Sequence, residues 1–492
     1  MTAYAPFAVP PRGIRAIDRA ALALLGVALA AIALRLGQFG NPLAGLDEQF
    51  YLLAGDRIWR GDLPYVDIWD RKPAGLFLIY AVIRALPGDG ILAYQLVATV
   101  CLAATGMVAV HLTHAVLPPR AALCAGLSIV VYGIVLGTGF GEAPIFYDLL
   151  TILAGALVIA LRERPGGRGI DPRAVAAMLL CGLSLTVKTS AVFESCCFGA
   201  LLLDADRRRL PPAALGLRAA AYLAIGLAPT LAIAAFYALH GDWQVFAFAN
   251  FRSAFLRGSG AMQDSAGRLV AMLVLLSPLL VPTLVEWRHI PRERRMVLTA
   301  WLAAGLLSFV AIGRFYEHYA LPLVTPLALT AAYGFRRLWV AALPIALAGL
   351  MIAGNLSHWG EARRQDASDV AALAAALPAG VKSGCLFVYE GPTILYHLTG
   401  ACLSGRYVFP GHFTEPEEEG ALERPMADIL RSALAHRPLA VVSVPELREG
   451  KVATDNDRIL AAELARAYRP VAKQNIRLYG AHRVDAVVWQ RR

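Results

Sequence analysis

Apolar runs of membrane-crossing length recur along this chain, too often for the core of any single soluble domain. They cover residues 20–34, 91–110, 121–136, 149–161, 219–239, 269–285, 296–312, 321–333 and 338–352. Two shorter runs, 174–187 and 191–203, flank Lys188 and read as two short spans meeting there. Residue usage agrees, with 58% of the chain hydrophobic and only 17% charged, where soluble domains carry about 25% charged residues. These features predict a polytopic α-helical membrane protein with about eleven transmembrane helices. Residues 1–19 contain prolines and arginines and no small-residue cleavage pattern. Residues 20–34 are therefore expected to stay as a first span and not to leave as a signal peptide.

Basic residues between the runs set the expected orientation. Arg12, Arg15 and Arg19 precede the first span, Arg162, Arg164, Arg168 and Arg173 share one later loop, and Arg207, Arg208, Arg209 and Arg218 another. Arg288, Arg292, Arg294 and Arg295 follow, then Arg336 and Arg337. With eleven spans all these clusters fall on one side, which is then cytoplasmic. The net charge of +10 is mostly this topology signal. It shows no basic face on a soluble domain, so a nucleic-acid partner is not expected.

Beyond Asn355 the composition changes. Residues 357–492 contain no span-length apolar run but do contain turn signals such as Glu390-Gly391-Pro392 and Phe409-Pro410-Gly411. Strand-like runs at 385–389, 439–444 and 484–489 alternate with helix-like runs at 366–377, 425–435 and 457–468. This predicts a small α/β domain on the external side. The expected division is a cytoplasmic N-terminus (1–19), a membrane module (20–356, its first external loop 37–90) and this domain (357–492). Cys385 and Cys402 are the domain's two cysteines, either paired in an oxidising periplasm or packed unpaired in its core. Cys101, Cys124, Cys181, Cys196 and Cys197 sit in apolar runs as small packing residues, and none of the seven has zinc-site spacing.

The first external loop concentrates charge between two apolar runs: Asp47, Glu48, Asp56, Asp62, Asp67, Asp70, Arg57, Arg60, Arg71 and Lys72 all fall within 45–75. So hydrophobic a chain keeps charges in water, in the headgroup layer or in a site that uses them. Phe50, Tyr51, Leu53, Ala54, Ile58 and Trp59 recur at helical spacing, predicting a short amphipathic helix on the membrane surface. The loop would present a carboxylate pair and a cation pair at one interface. That suits an amphiphile with a phosphate head: cations bind the phosphate and a carboxylate takes a proton from a hydroxyl. Simpler roles stand beside these. Asp47-Glu48 fits a helix N-cap and dipole partner, and Arg71 and Lys72 fit membrane-edge anchors paired with Asp67 and Asp70.

The segments Asp47-Glu48-x-x-Tyr51, Gly61-Asp62-Leu63-Pro64-Tyr65-x-Asp67 and Trp69-Asp70-Arg71-Lys72-Pro73 resemble the first external loop of the GT-C superfamily of polyprenyl-phosphate-dependent glycosyltransferases. The branch they are most similar to is family 39 with its bacterial relatives: protein O-mannosyltransferases, aminoarabinose transferases of lipid A and galacturonosyl transferases of lipopolysaccharide. Glu142 in the next external loop, the stretch Phe315–Leu323 with its His318-Tyr319-x-Leu321-Pro322-Leu323 core, and Leu395-Tyr396-x-Leu398-Thr399-Gly400 extend the similarity over most of the chain.

The resemblance implies a GT-C-like membrane module performing inverting sugar transfer from a polyprenyl-phosphate donor to an envelope acceptor, whether lipid A, glycan or protein. Asp47 would be the general base and Glu48 would position it or the acceptor. Arg71, Lys72, Lys188 and Arg314 would bind the donor phosphate, and Tyr51, Tyr65, Glu142 and His318 would complete the site. A metal is not chemically obligatory, since the leaving group is a phosphate monoester, although a divalent ion remains compatible. The implied location is a bacterial inner membrane, with site and C-terminal domain facing the periplasm. Lys188 and Arg314 also fit membrane-edge anchors, Glu142 a solvated loop residue and His318 an interfacial histidine. A flippase for lipid-linked saccharides and a non-catalytic assembly protein are the rival classes. Residues 240–268, rich in aromatics, would cover the donor tail or the acceptor, or lie idle in the interface.

Overall fold

The computed structural model describes residues 14–136, 140–167, 169–258, 265–313, 315–354, 360–445, 454–478 and 482–492. Every apolar run lies inside a helix to within two residues: α1 (Ile14–Ala33), α4 (Ile91–His114), α5 (Pro119–Val135), α6 (Ala143–Glu163), α7 (Pro172–Val187), α8 (Val192–Asp206), α9 (Pro212–His240), α12 (Ser265–Glu286), α13 (Arg292–Ile312), α14 (Leu321–Ala331) and α15 (Leu338–Gly354). Six segments are long and apolar enough to cross a bilayer by themselves: Arg19–Gln38, Ile91–His114, Ala143–Glu163, Pro212–His240, Ala266–His289 and Arg292–Ala311. The other five helices have 11 to 17 residues, short of the roughly 20 a full span needs. Two of them, α7 and α8, are one apolar stretch interrupted at Lys188, where the backbone turns extended (φ −149°, ψ 123°) and a single 3-10 turn follows.

Between α1 and α4 the first loop folds into α2 (Leu46–Trp59) and α3 (Ala74–Arg84). The predicted amphipathic helix is present as α2, and its apolar stripe is covered by protein. Phe50, Tyr51, Leu52, Leu53 and Ala54 are all buried, as are Glu48 and Gln49. One flank packs on α3, closely enough that a Cβ on Gly55 would sit 2.8 Å from the Tyr80 carbonyl carbon. The C-terminal domain covers the other flank. Helical spacing reveals a helix with an apolar stripe, but not whether lipid or protein meets that stripe.

After α9 the chain forms two short helices, α10 (Trp243–Ala247) and α11 (Ser253–Leu256), joined by a π turn. Phe246 packs on Tyr237 and Tyr65, while Trp243, Phe251, Phe255 and Leu256 stay exposed. Ser253 Oγ donates to the Ala421 carbonyl at 2.6 Å and Gly258 N to that of Glu417 at 2.9 Å, strapping this segment to the C-terminal domain.

That domain contains α16 (Gly360–Ala375), α17 (Val381–Gly384), α18 (Ile394–Thr399), α19 (Gly411–Thr414), α20 (Met426–Ala435) and α21 (Asp455–Ala467). Its strands β1 (Leu386–Val388), β2 (Ala440–Ser443), β3 (Tyr468–Arg477) and β4 (Arg483–Arg491) form one sheet in the order β1-β2-β4-β3. β1 and β2 are parallel and the remaining pairs antiparallel. β3 escapes sequence reading because YRPVAKQNIR is polar and contains a proline. It is an edge strand, and its ladder on β4 shifts register between Pro470 and Ala472, as proline at an edge permits. Cys385 and Cys402 are joined as a disulfide. Trp69, fully buried, anchors the first loop beneath the domain: its backbone N–H donates to the Arg406 carbonyl at 2.9 Å, and its ring meets Tyr407 and His412.

Candidate active site

The site grows from the start of α2. Gly45 occupies the N-cap with no side-chain bond, so Asp47 and Glu48 lie inside the first turn, where the helix dipole favours negative charge. Neither acid is the N-cap residue; the Glu48 carboxyl bonds back to its own first-turn amide, and Asp47 finds its partners outside that turn. Asp47 Oδ2 accepts from Lys72 Nζ at 2.9 Å and from the Tyr51 hydroxyl at 3.0 Å. Lys72 reaches it because Asp70 folds the RKP turn: Asp70 Oδ1 accepts the Arg71 and Lys72 amides at 2.5 and 3.2 Å, and its Oδ2 lies 3.6 Å from Nζ. The Tyr65 hydroxyl holds the same turn through the Lys72 carbonyl at 2.9 Å. Tyr65 itself adopts a positive φ of 70°, a conformation a bulky residue keeps only where packing enforces it.

Glu48 points elsewhere. Its Oε1 accepts from Phe140 N at 3.1 Å, and its carboxyl stands over Gly45, where any Cβ would collide with it. The Tyr80 hydroxyl binds the Gly141 carbonyl at 2.8 Å and so fixes the loop that leads to Glu142, the N-cap of α6. Lys188, at the α7–α8 break, holds its ammonium 5.2 Å from the Tyr319 ring centre, and the His318 ring lies against Tyr319. Four loops thus bring Asp47, Glu48, Tyr51, Lys72, Glu142, Lys188 and His318 within one electrostatic neighbourhood, with Tyr65 joined to it through the Lys72 carbonyl.

The charges there constrain one another. Burial pushes the Asp47 carboxyl up, but the Lys72 ammonium outweighs it and brings it down to about 2. Glu48, buried and facing the Asp47 charge, is pushed up to about 7. Glu142 rises well above the carboxylate range through burial and the two neighbouring acids. Burial and Lys72 lower Lys188, and burial with Lys188 lowers His318 to about 4, leaving a neutral imidazole at neutral pH.

Arg71 takes a different place from that expected. Its guanidinium pairs with Glu418 of the C-terminal domain, and Glu418 also pairs with Arg257. Arg314, like Arg12 and Arg168 of the orientation clusters, lies outside the described residues. Among the described residues no group of three or more His, Cys, Asp or Glu side chains is placed to share a metal ion. Sequence reading missed Asp70, whose importance is the turn it folds. It also missed Arg35, fully buried 5.1 Å from the centre of the Phe140 ring. The signal for Arg35 was present: a lone arginine at the end of an apolar run is costly unless used.

No family model matches the chain, and no curated protein matches it in sequence. Solved structures do match. ArnT from Cupriavidus metallidurans bound to undecaprenyl phosphate aligns with TM-score 0.64 and 15% identity over 95% of this chain and 98% of that one. Its apo state aligns with TM-score 0.65 and 14% identity over 96% and 98%. The Archaeoglobus fulgidus oligosaccharyltransferase tethered with an acceptor peptide aligns at 0.50 and 14%, over 88% of this chain and 70% of that one. At such identities the likeness is one of fold. The chain is a multi-pass membrane protein with the GT-C fold, carrying a small C-terminal sheet domain over its first loop.

Proposed function

We propose that this protein is an inverting glycosyltransferase that moves a sugar from a polyprenyl-phosphate donor to a cell-envelope acceptor. The observation that carries this reading is the Asp47–Lys72 pair at 2.9 Å, with Lys188 in its field: a base and cations for a phosphate side by side. The acceptor hydroxyl attacks the anomeric carbon and Asp47 takes its proton. The bond from that carbon to the phosphate oxygen breaks, and the polyprenyl phosphate leaves as a monoester whose charge meets Lys72 and Lys188. A phosphate at Lys72 competes with Asp47 for the ammonium. Donor binding thereby raises the basicity of Asp47 and ties base strength to donor occupancy. Glu48, held by Phe140 N, positions the turn that carries the base.

The site faces the periplasm in this reading and the arginine clusters face the cytoplasm of a bacterial inner membrane. The ArnT neighbour was solved with undecaprenyl phosphate, and a lipid of that class is the donor carrier proposed here. Convergence of the charged groups at one end of the bundle, away from its midplane, favours transfer over transport. Mass spectrometry of envelope lipids and glycans tests it. A deletion strain should lack one sugar substitution, restored by the wild-type gene and not by Asp47→Asn; restoration by both would overturn the enzymatic reading.

A further inference from the structure

A cavity of about 160 Å³ opens beside the first turn of α2, between the membrane module and the C-terminal domain. Gly45 and Leu46, immediately before Asp47, form one wall; Phe140, whose amide binds Glu48, forms another; Asp366 and Arg477 close it from the domain. Lys72 and Lys188 are not among its lining residues. A cavity of about 150 Å³ holds one benzene ring, so this one has room for a single six-membered ring.

The polar lining is built and buried. Gln49 is fully buried; its Oε1 accepts the Ile394 amide at 3.1 Å, while its Nε2 finds no protein partner among the described residues. Asn41, 2% exposed, donates to Gln38 Oε1 at 2.8 Å and Asp366 Oδ2 at 2.9 Å. Asp366, 1% exposed, faces Arg477 at 3.3 Å, so the two charges offset. A buried amide donor without a partner is unfavourable unless a ligand or water meets it. Neutral donors, neutral acceptors and a compensated ion pair beside the apolar surfaces of Leu43 and Phe140 suit a neutral polyhydroxylated ring. They do not suit a phosphate, which needs unpaired cations.

We propose that this cavity holds one sugar ring of the acceptor, which makes the acceptor a glycan or glycolipid headgroup and not a protein hydroxyl. The proposal rests on the sugar-transfer reading. The donor sugar belongs near Lys72, because its anomeric carbon carries the phosphate; a ring beside Gly45 approaches Asp47 from the other substrate.

Saturation-transfer NMR on the full-length protein in nanodiscs tests this, with free galactose, glucose, mannose and N-acetylglucosamine as probes. At least one should bind. Gln49→Glu keeps the acceptor for Ile394 N and replaces the free amide donor by a carboxyl, and Ala44→Phe fills the cavity without removing a polar group. Each should weaken that binding about tenfold or more, the scale of one lost buried hydrogen bond or of exclusion, at an unchanged melting temperature. Lys72→Gln should leave it intact. Absence of binding by every probe, as for a cavity holding ordered water only, overturns the proposal. So does binding that survives both cavity variants, or that only Lys72→Gln removes. Sugar transfer to an acceptor without sugar would refute the cavity assignment alone, while saturable binding in a chain that transfers nothing would refute the transfer reading alone.

Discussion

The two ends of the membrane module use the same residue types in opposite ways. At the end carrying the arginine clusters, charges are matched by neighbours. Arg162 meets Asp204 and Glu293 at 2.9 and 3.0 Å, Arg294 pairs with Glu163, Arg218 with Asp206, and Arg336 and Arg337 share Glu286. At the other end Asp47, Glu48, Glu142, Lys72 and Lys188 crowd together. Burial first, and then the crowded like charges, push these groups away from their ordinary protonation behaviour, and Glu48 takes its hydrogen bond from a backbone N–H instead of a cation. Matched pairs hold helices in register; groups whose environments drive their acidities apart can divide acid and base roles.

The contrast is most exposed to Asp47→Asn. Removing the base while keeping size should lower the transfer rate by about 10²–10⁴-fold with the fold intact. Initial rates of purified variants with equal melting temperatures decide it, and full activity would end the base assignment. Lys72→Gln comes next. Loss of a charged hydrogen bond to the donor phosphate should cost roughly 1.5–3 kcal/mol, read in donor titrations; unchanged turnover at every donor concentration would make Lys72 an anchor.

The opposite end should respond in the reverse sense. Arg162 is nearly fully buried and also donates to the Leu201 carbonyl at 2.7 Å, so Arg162→Gln should reduce stability by about 1–3 kcal/mol and leave the rate per folded molecule unchanged. A large rate loss at full stability would mean that the two ends are not functionally distinct.

Smaller effects follow from pH. Ionised Glu48 raises the basicity of Asp47, so the rate should rise as pH increases through about 7 and this rise should vanish in Glu48→Gln. For stability the sign is opposite: the folded state holds the Glu48 proton more tightly than the unfolded chain. That contribution is complete below the ordinary glutamate value of 4.5 and is lost as pH rises through about 7. Asp56 behaves conversely. Burial opposes its charge, but His397 of the C-terminal domain and Arg84 pull its carboxyl below the usual range. Its contribution is present above the unfolded value near 3.8 and lost as pH falls through the lower folded one. Limited proteolysis should find the domain slightly looser in acid, and Asp56→Asn should show the same loosening at neutral pH.

Much of the site was legible in the linear order of residues. Asp47, Tyr51, Tyr65 and Lys72 stand in one loop of 26 residues, and a charged loop between apolar runs has few reasons to exist. Glu142, Lys188 and His318 were legible as types, since each is a polar residue at the end of an apolar run, but their meeting was not. Arg71 shows the limit. It neighbours Lys72 in sequence, yet its guanidinium pairs with Glu418, about 350 residues away, and no local pattern contains that partner.

What the sequence determined by itself was the solvent of each segment. Hydrophobic content and periodicity decide which stretches leave water and become helices, because backbone polar groups in hydrocarbon must pair within their own segment. Tertiary structure decided what lies against what. It made α2 a buried helix under a protein lid, turned the polar run at 468–477 into an edge strand, and placed Gln49 and Asp366 around one cavity. Those outcomes depend on residues far apart in sequence: Asp366 bonds Asn41, and Arg477 lines the same cavity as Gly45. Side-chain patterns of period two or 3.6 report only the face that is covered, never the partner that covers it.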